Sequence, residues 1–238
     1  MAEPFLECPK HWLRGTLEPD PSNRLIAQVD SGGTPSTGNA EYWDGDIPWL
    51  TPKEITAFEN GFFISRTERT ITAEGLAQSA AKLFRAETVM LTKRAPVGAV
   101  AINAVPMATN QGFLNFQCGQ KLRPLYLACW FRVNRPYLEL VANGSTYPEL
   151  YKSDLFEFEI AVPSLEEQDA IIGVIGALQY ANLLGMPLEQ SVSSSEAMIR
   201  IQEQNRRLRS IRDSIMPLLL SGAVSAGKAL ALSERIKL

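Results

Sequence analysis

Ser31 to Glu54 reads SGGTPSTGNAEYWDGDIPWLTPKE, and the rest of the chain is organised around what this stretch becomes. Gly, Pro, Ser, Thr and Asn are too dense here for a helix or an interior strand. Tyr42, Trp43 and Trp49 are present as well, and a disordered linker rarely carries such aromatics. The stretch predicts a long irregular loop with aromatic anchors, and loops of that length usually have a function. Thr34-Pro35-Ser36 and Trp49-Leu50-Thr51-Pro52 hold small hydroxyls and free backbone groups in turns fixed by proline. That equipment suits close reading of a polar surface. A plain connection pinned to the core by three aromatics fits the same chemistry.

The chain around it has 238 residues, 45% hydrophobic and 21% charged, enough to bury a core in one or two domains. A net charge of -3 argues against a protein basic all over, but a nucleic-acid binder needs only a local basic face. Cys8, Cys118 and Cys129 form no C-x-x-C pair, so they read as reduced cytosolic thiols. His11 is the single histidine, which excludes a His-based triad and a multi-His metal site. No run is long and apolar enough for a membrane span, and the N-terminus lacks the apolar run of a signal peptide. The expectation is a soluble, cytoplasmic protein.

In order, residues 1–21 read as a loose lead-in rich in proline, and Leu25 to Val29 as a first strand. Beyond the long loop, Phe62–Ile64 and Arg69–Thr72 read as strand pieces, and Ala73 to Ala81 as a helix capped by Thr72. Thr88–Thr92, Val97–Ile102, Pro106–Thr109 and Phe113–Cys118 are short strands with polar turns. They predict a strongly twisted, mainly antiparallel sheet. Pro124–Val133 and Arg135–Ala142 are expected as two helices, each with a proline near its start, and Phe156–Val162 as the last strand.

At Pro163 the pattern turns helical. Ser164-Leu165-Glu166-Glu167 is a capping-box sequence, and Ile171, Ile175 and Leu178 share one helix face. Gly185-Met186-Pro187 and the serines at 193–195 weaken the helix. Ile201, Leu208, Ile211, Ile215 and Leu218 then form a heptad seam, with Asn205 or Gln204 at the missing position. Short amphipathic helices are not stable alone. They must pack on the globular part, on each other or on another chain. The expected domains are 1–162, a helical region 163–222 and a tail 223–238.

No hydrolase, zinc-protease, dinucleotide-binding or methyltransferase motif is present. Gly222 to Ala229 approaches a phosphate-binding loop, but its last position is Ala, so no hydroxyl can reach magnesium. What remains suits recognition. Lys53, Lys93, Arg94 and Lys152 stand in turns beside Thr, Ser and Asn, where cations can hold phosphates. Arg94, Asn110 and Gln111 have the donors and acceptors to pair with purine edges.

Six pieces in this order carry a resemblance. They are Gly32-Gly33-Thr34-Pro35-Ser36; Tyr42-Trp43 with Gly45-Asp46-Ile47-Pro48-Trp49; Arg94-Ala95-Pro96-Val97-Gly98; Thr109-Asn110-Gln111; Gly144-Ser145-Thr146; and Pro163-Ser164-Leu165-Glu166-Glu167-Gln168. Over nearly its whole length the chain resembles the specificity subunit of type I restriction–modification systems. The resemblance implies an α+β target-recognition domain up to about Val162, followed by long coiled-coil-like spacer helices. It implies a non-catalytic subunit that reads one part of a split double-stranded DNA target and docks modification (methyltransferase) and restriction subunits. No cofactor is then expected in this chain; S-adenosylmethionine and ATP with Mg belong to the partners. One recognition unit is seen where the family often has two, so a half-subunit is expected, paired with itself or with another half. Motif position and chemistry together nominate Thr34, Ser36, Thr51, Lys53, Lys93, Arg94, Asn110, Gln111, Thr146 and Lys152 for DNA contact. The interface is expected at Ile171, Ile175, Leu178, Ile201, Leu208, Ile211 and Ile215. A recognition module for a fused nuclease–methyltransferase, or a helical scaffold without DNA reading, are the alternatives. Interruptions at 185–187 and 193–195 depart from the continuous spacer helix frequent in the family.

Overall fold

Short apolar runs between turn residues in the first part of the chain, and helical spacing of apolar residues after Pro163, separate a sheet unit from a helical one. The computed structural model describes residues 8–19, 25–57, 61–142, 148–184 and 210–226. It divides the chain into a unit of residues 13–162 and a second built from 1–12 with 163–238.

The first unit holds β1 (Leu13–Thr16), β2 (Ile26–Ser31), β3 (Trp43–Leu50), β4 (Phe63–Ile64), β5 (Arg69–Ile71) and β6 (Leu83–Phe84). It continues with β7 (Val89–Thr92), β8 (Val100–Asn103), β9 (Met107–Thr109), β10 (Phe113–Cys118) and β11 (Glu159–Val162). Helices α1 (Pro52–Ala57), α2 (Ala73–Ala77), α3 (Pro124–Val141) and α4 (Lys152–Phe156) complete it. One sheet has the order β2-β10-β7-β8-β4, a second β5-β3-β9-β6, and β1 pairs with β11. Antiparallel pairing dominates, as expected from the density of short strands. Only β3 with β9 and β4 with β8 run parallel among the described residues.

Four expectations need correction. The stretch from Ser31 is not one irregular loop, because Trp43–Leu50 is an interior strand between β5 and β9. A bulge between Trp43 and Ile47 absorbs the unfavourable residues, with Asp44 at a φ of 60°. The lead-in is not loose at Leu13–Thr16, which pairs residue by residue with Glu159–Val162. The two helices expected on either side of Asn134 are one, α3, with Pro136 inside it. Seven of its side chains are buried, from Tyr126 to Leu138, and that burial outweighs the missing proline hydrogen bond. Lys152–Phe156 is a helix, so Lys152 is not in a turn and the last strand starts at Glu159 rather than Phe156; the Asp154 carboxylate accepts from the Tyr151 N–H at the helix start.

The core lies between the sheets and under α3. Leu50, Ile55, Phe84, Met90, Met107 and Phe113 form one buried cluster; Trp43, Trp49, Ile71, Ala81 and Ala108 form another. Each large apolar side chain buried there contributes about 1.5–3 kcal/mol. Asn103 is fully buried and donates to the Arg85 and Val105 carbonyls while accepting from the Thr88 N–H, so its amide ties β8 to the start of β7. The expected cap of α2 is present, since the Thr72 hydroxyl accepts from the Gly75 N–H at 3.0 Å.

Burial pushes the Cys118 thiol up to about 12, against the nearby Arg85 charge and with Glu87 adding to the rise. The thiolate is absent at neutral pH, so native protein should leave Cys118 unmodified by a thiol reagent that labels it after unfolding. Rapid labelling of folded protein at Cys118 contradicts this packing.

In the second unit α5 (Leu165–Leu184) starts as its sequence predicts, with the Ser164 hydroxyl accepting from the Glu167 N–H. Ile171 and Ile175 are buried within this chain. A helix over 210–220, α6, buries Arg212, Met216, Leu219 and Leu220, one position on from the expected seam. Ile211 and Ile215 are half-buried and Leu218 is exposed. Gly222 ends α6 in the left-handed region, at φ 71°, donating to the Leu219 carbonyl. It is a helix stop, and a Cβ there would meet Pro9 at 2.5 Å. Ile201, Leu208, the interruptions at 185–187 and 193–195, and the last part of the phosphate-loop-like segment lie outside the described residues. So does the side chain of Leu178.

Candidate functional site

The strand order brings several loops to one rim. Strands β3 and β9 run parallel, so both end there; β10 begins there, and β2 and β7, antiparallel to β10, end beside its start. Backbone bonds tie the loops together. The Gly33 N–H donates to the Thr109 carbonyl, Asn110 N–H to Leu50, Lys93 N–H to Gly112 and Leu150 N–H to Lys93.

On this frame the Thr34 hydroxyl donates to the Gln111 side-chain oxygen at 2.5 Å, joining the first loop to the β9–β10 turn. Asn110 is half-buried, and its side-chain oxygen accepts from the Gly112 N–H, closing the turn locally. Ser36 is exposed, and its carbonyl holds the Trp43 indole N–H. Thr51 is occupied: its N–H and its hydroxyl both donate to the Glu54 carboxylate at 2.8 Å. The other Glu54 oxygen accepts from the Glu68 N–H. Lys53 is highly exposed and pairs loosely with Glu68 at 3.7 Å.

Lys93 and Arg94 share Glu149. The Lys93 ammonium is 2.7 Å from one carboxylate oxygen and its side chain is only 17% exposed, whereas Arg94 stands 4.0 Å from the other and is 42% exposed. Lys93 is therefore held, and Arg94 has room to turn outward. The connection after it is fixed by the buried Thr92, whose hydroxyl donates to the Pro96 carbonyl and accepts from the Ala99 N–H. Gly98, at φ 79°, lies where a Cβ would meet the Arg135 stem at 2.8 Å.

Lys152 sits on α4, where its ammonium donates to the Val29 carbonyl at 2.6 Å and lies 4.0 Å from Asp30. Asp30 also binds Lys82 at 2.8 Å and accepts from the Gln28 amide. Burial pushes the Asp30 carboxyl up, but Lys82, Gln28 and Lys152 outweigh it and hold it below its ordinary value of 3.8. A depressed folded-state value means stability that is present above the unfolded value and lost as pH falls through the folded one. Asp30→Asn should therefore be less stable than the parent at pH 7, with the difference shrinking below about pH 4. A difference that persists unchanged at pH 2 in urea unfolding contradicts this assignment.

Thr34 and Gln111 are thus joined directly, Asn110 and Lys93 are both bonded to Gly112 of the same turn, and Arg94 is linked to Lys93 through Glu149, with Thr51 and Lys53 following Leu50 at the end of β3. Lys152 is tied instead to β2. Thr146 lies outside the described residues. Glu149 and Glu54 were missed in the sequence. Glu54 had a signal, since Thr51-x-x-Glu54 is a helix-start pattern. Glu149 had none, because its partners are remote in the chain.

Residues 25–183 match the family model described as type I restriction modification DNA specificity domain, and the chain belongs to that family. It is 44% identical over 152 residues to the type I restriction enzyme MjaIX specificity subunit of Methanocaldococcus jannaschii, covering 63% of this chain and 35% of that one. It is 28% identical over 202 residues to the HindI specificity subunit of Haemophilus influenzae, covering 84% and 40%. The fold is similar to that of the HsdS subunit from Thermoanaerobacter tengcongensis, with a TM-score of 0.53, 16% identity and coverage of 93% and 47%. The chain spans less than half the length of each of these proteins.

Proposed function

We propose that the chain is a non-catalytic DNA-recognition subunit of a type I restriction–modification system. Residues 13–162 read one part of a split duplex target through the rim of loops at the ends of β2, β3, β7 and β9. The single observation that carries the reading is the linkage of Thr34 to Gln111 and of Lys93 to Gly112, beside Arg94, within a chain of this family. Arg94 is the guanine reader and Gln111 the adenine-competent amide, with Asn110 shaping their turn. Ser36 and Lys53 suit phosphates. Lys93 and Thr51, bonded within the protein, hold the readers in place, and Lys152 holds the end of β2.

The helices following Pro163 pair with a second copy or with another recognition unit and dock modification subunits, which bind S-adenosylmethionine. A restriction subunit using ATP and Mg completes the system in the cytoplasm. Two recognition units facing one duplex through a two-fold axis read an interrupted palindrome.

Duplex binding in a salt series tests DNA reading against the helical-scaffold alternative. Recognition predicts affinity that falls steeply with salt, because phosphate contacts release counterions. Binding that is absent at low salt, in the presence of the modification subunit, favours the scaffold.

A further inference from the structure

Arg69 was not among the residues nominated for DNA contact. It starts β5 directly opposite Trp49 in the antiparallel register, so both side chains stand on one face of the sheet. Its guanidinium lies 3.5 Å from the centre of the Trp43 ring and 5.7 Å from that of Trp49. The two indoles meet edge to face at 5.0 Å, so the platform is rigid. The same indoles bind the recognition loop: Trp43 donates to the Ser36 carbonyl at 3.1 Å and Trp49 to the Gly33 carbonyl at 2.9 Å. Arg69 is thereby fixed against the ring that carries the exposed Ser36 backbone.

Its surroundings differ from those of the other cations near the rim. Lys93 and Arg94 have Glu149, Lys53 has Glu68, and Lys82 has Asp30. Arg69 is exposed and makes no ion pair or side-chain hydrogen bond among the described residues, although Asp44 and Asp46 lie on the adjoining bulge. Stacking on an indole restrains the guanidinium and leaves its five N–H donors in the plane of the group open. A cation restrained in this way suits the phosphate of a DNA backbone, where a planar fork of donors binds two oxygens at once.

The geometry points to Arg69 as a phosphate-binding residue of the interface, held by Trp43 and Trp49 beside the loop of Thr34 and Ser36. This rests on the DNA-recognition reading. A phosphate contact fixes register on the duplex but carries no base information.

The test uses the full chain with a modification subunit, measuring affinity for specific and unrelated duplexes against salt. Arg69→Gln keeps part of the stem over Trp43 and removes the charge. It should lower affinity roughly five- to tenfold at 0.1 M salt for both duplexes, and reduce the slope of log affinity against log salt by about 0.9. Arg69→Lys keeps the charge and should keep most of the slope. An unchanged slope in Arg69→Gln, with Arg94→Ala still weakening the specific duplex, overturns the role of Arg69 alone. Equal loss of slope in both Arg69 variants also overturns it, because a missing charge cannot be the cause. Wild-type protein without salt-dependent binding removes the recognition reading, and this inference with it.

Discussion

Gly32→Ala should cost about 1–3 kcal/mol of stability and disable sequence-specific DNA binding even below its own melting temperature. A Cβ on Gly32 would lie 2.1 Å from the Thr109 carbonyl oxygen and 2.5 Å from that of Asn110. Both are backbone atoms at the junction of β9 with the β9–β10 turn, so no side-chain rotation relieves the overlap. The loop carrying Thr34 must move away from the turn carrying Gln111, which breaks the Thr34–Gln111 hydrogen bond and the Gly33–Thr109 backbone bond. This glycine is needed for close approach and not for a left-handed backbone, since its φ is not positive. Thr34→Val supplies the contrast. It loses the hydroxyl at an incompletely buried site and should leave stability nearly unchanged. Urea unfolding of both variants, with duplex binding measured at low temperature, separates the two effects. Wild-type affinity in Gly32→Ala would mean that the loop junction does not position the readers.

Arg94→Ala should weaken specific binding by about 1–3 kcal/mol and relax the choice of base at one position of the target. The contrast with its neighbour follows from Glu149. Lys93 is nearly enclosed and 2.7 Å from that carboxylate, so Lys93→Ala leaves a half-buried charge without its closer partner and acts first on stability. Arg94 holds the same carboxylate at 4.0 Å and gives up little on turning to DNA. Glu149→Gln then frees positive charge at the rim. It should strengthen binding to unrelated duplex and so reduce discrimination, the opposite sign to Arg94→Ala. The ratio of specific to unrelated affinity, measured at one salt concentration, reads both variants. If Arg94→Ala leaves both affinity and site choice intact, Arg94 is not a reader.

The fold was legible wherever a short, largely apolar run was bounded by turn residues. Val89–Thr92, Met107–Thr109 and Phe113–Cys118 satisfy that condition and are strands at nearly the expected bounds. Trp43–Leu50 failed it because Asp44, Gly45 and Asp46 fill a bulge, and no local pattern distinguishes a bulged interior strand from a loop. Pro136 suggested a helix start within α3, whereas the tertiary burial of Trp130, Phe131 and Leu138 carries the helix through it. At the candidate site, Thr34, Gln111 and Arg94 were visible as residue types in turns. Their grouping was not visible, because it depends on the parallel pairing of β3 with β9. Glu149 and Arg69 were hidden for the same reason: one is identified by a long-range ion pair, the other by a ring on the opposite strand.

In the proposed function this chain selects a DNA sequence for a modification subunit. A methylation map of a host otherwise free of such systems, expressing the chain with a cognate modification subunit, tests it most directly. Sequence selection by this chain predicts methylation at an interrupted motif, palindromic if two copies of the chain pair, and altered at one position by Arg94→Ala. No methylation, from a modification subunit that is active beside another specificity subunit, would contradict it.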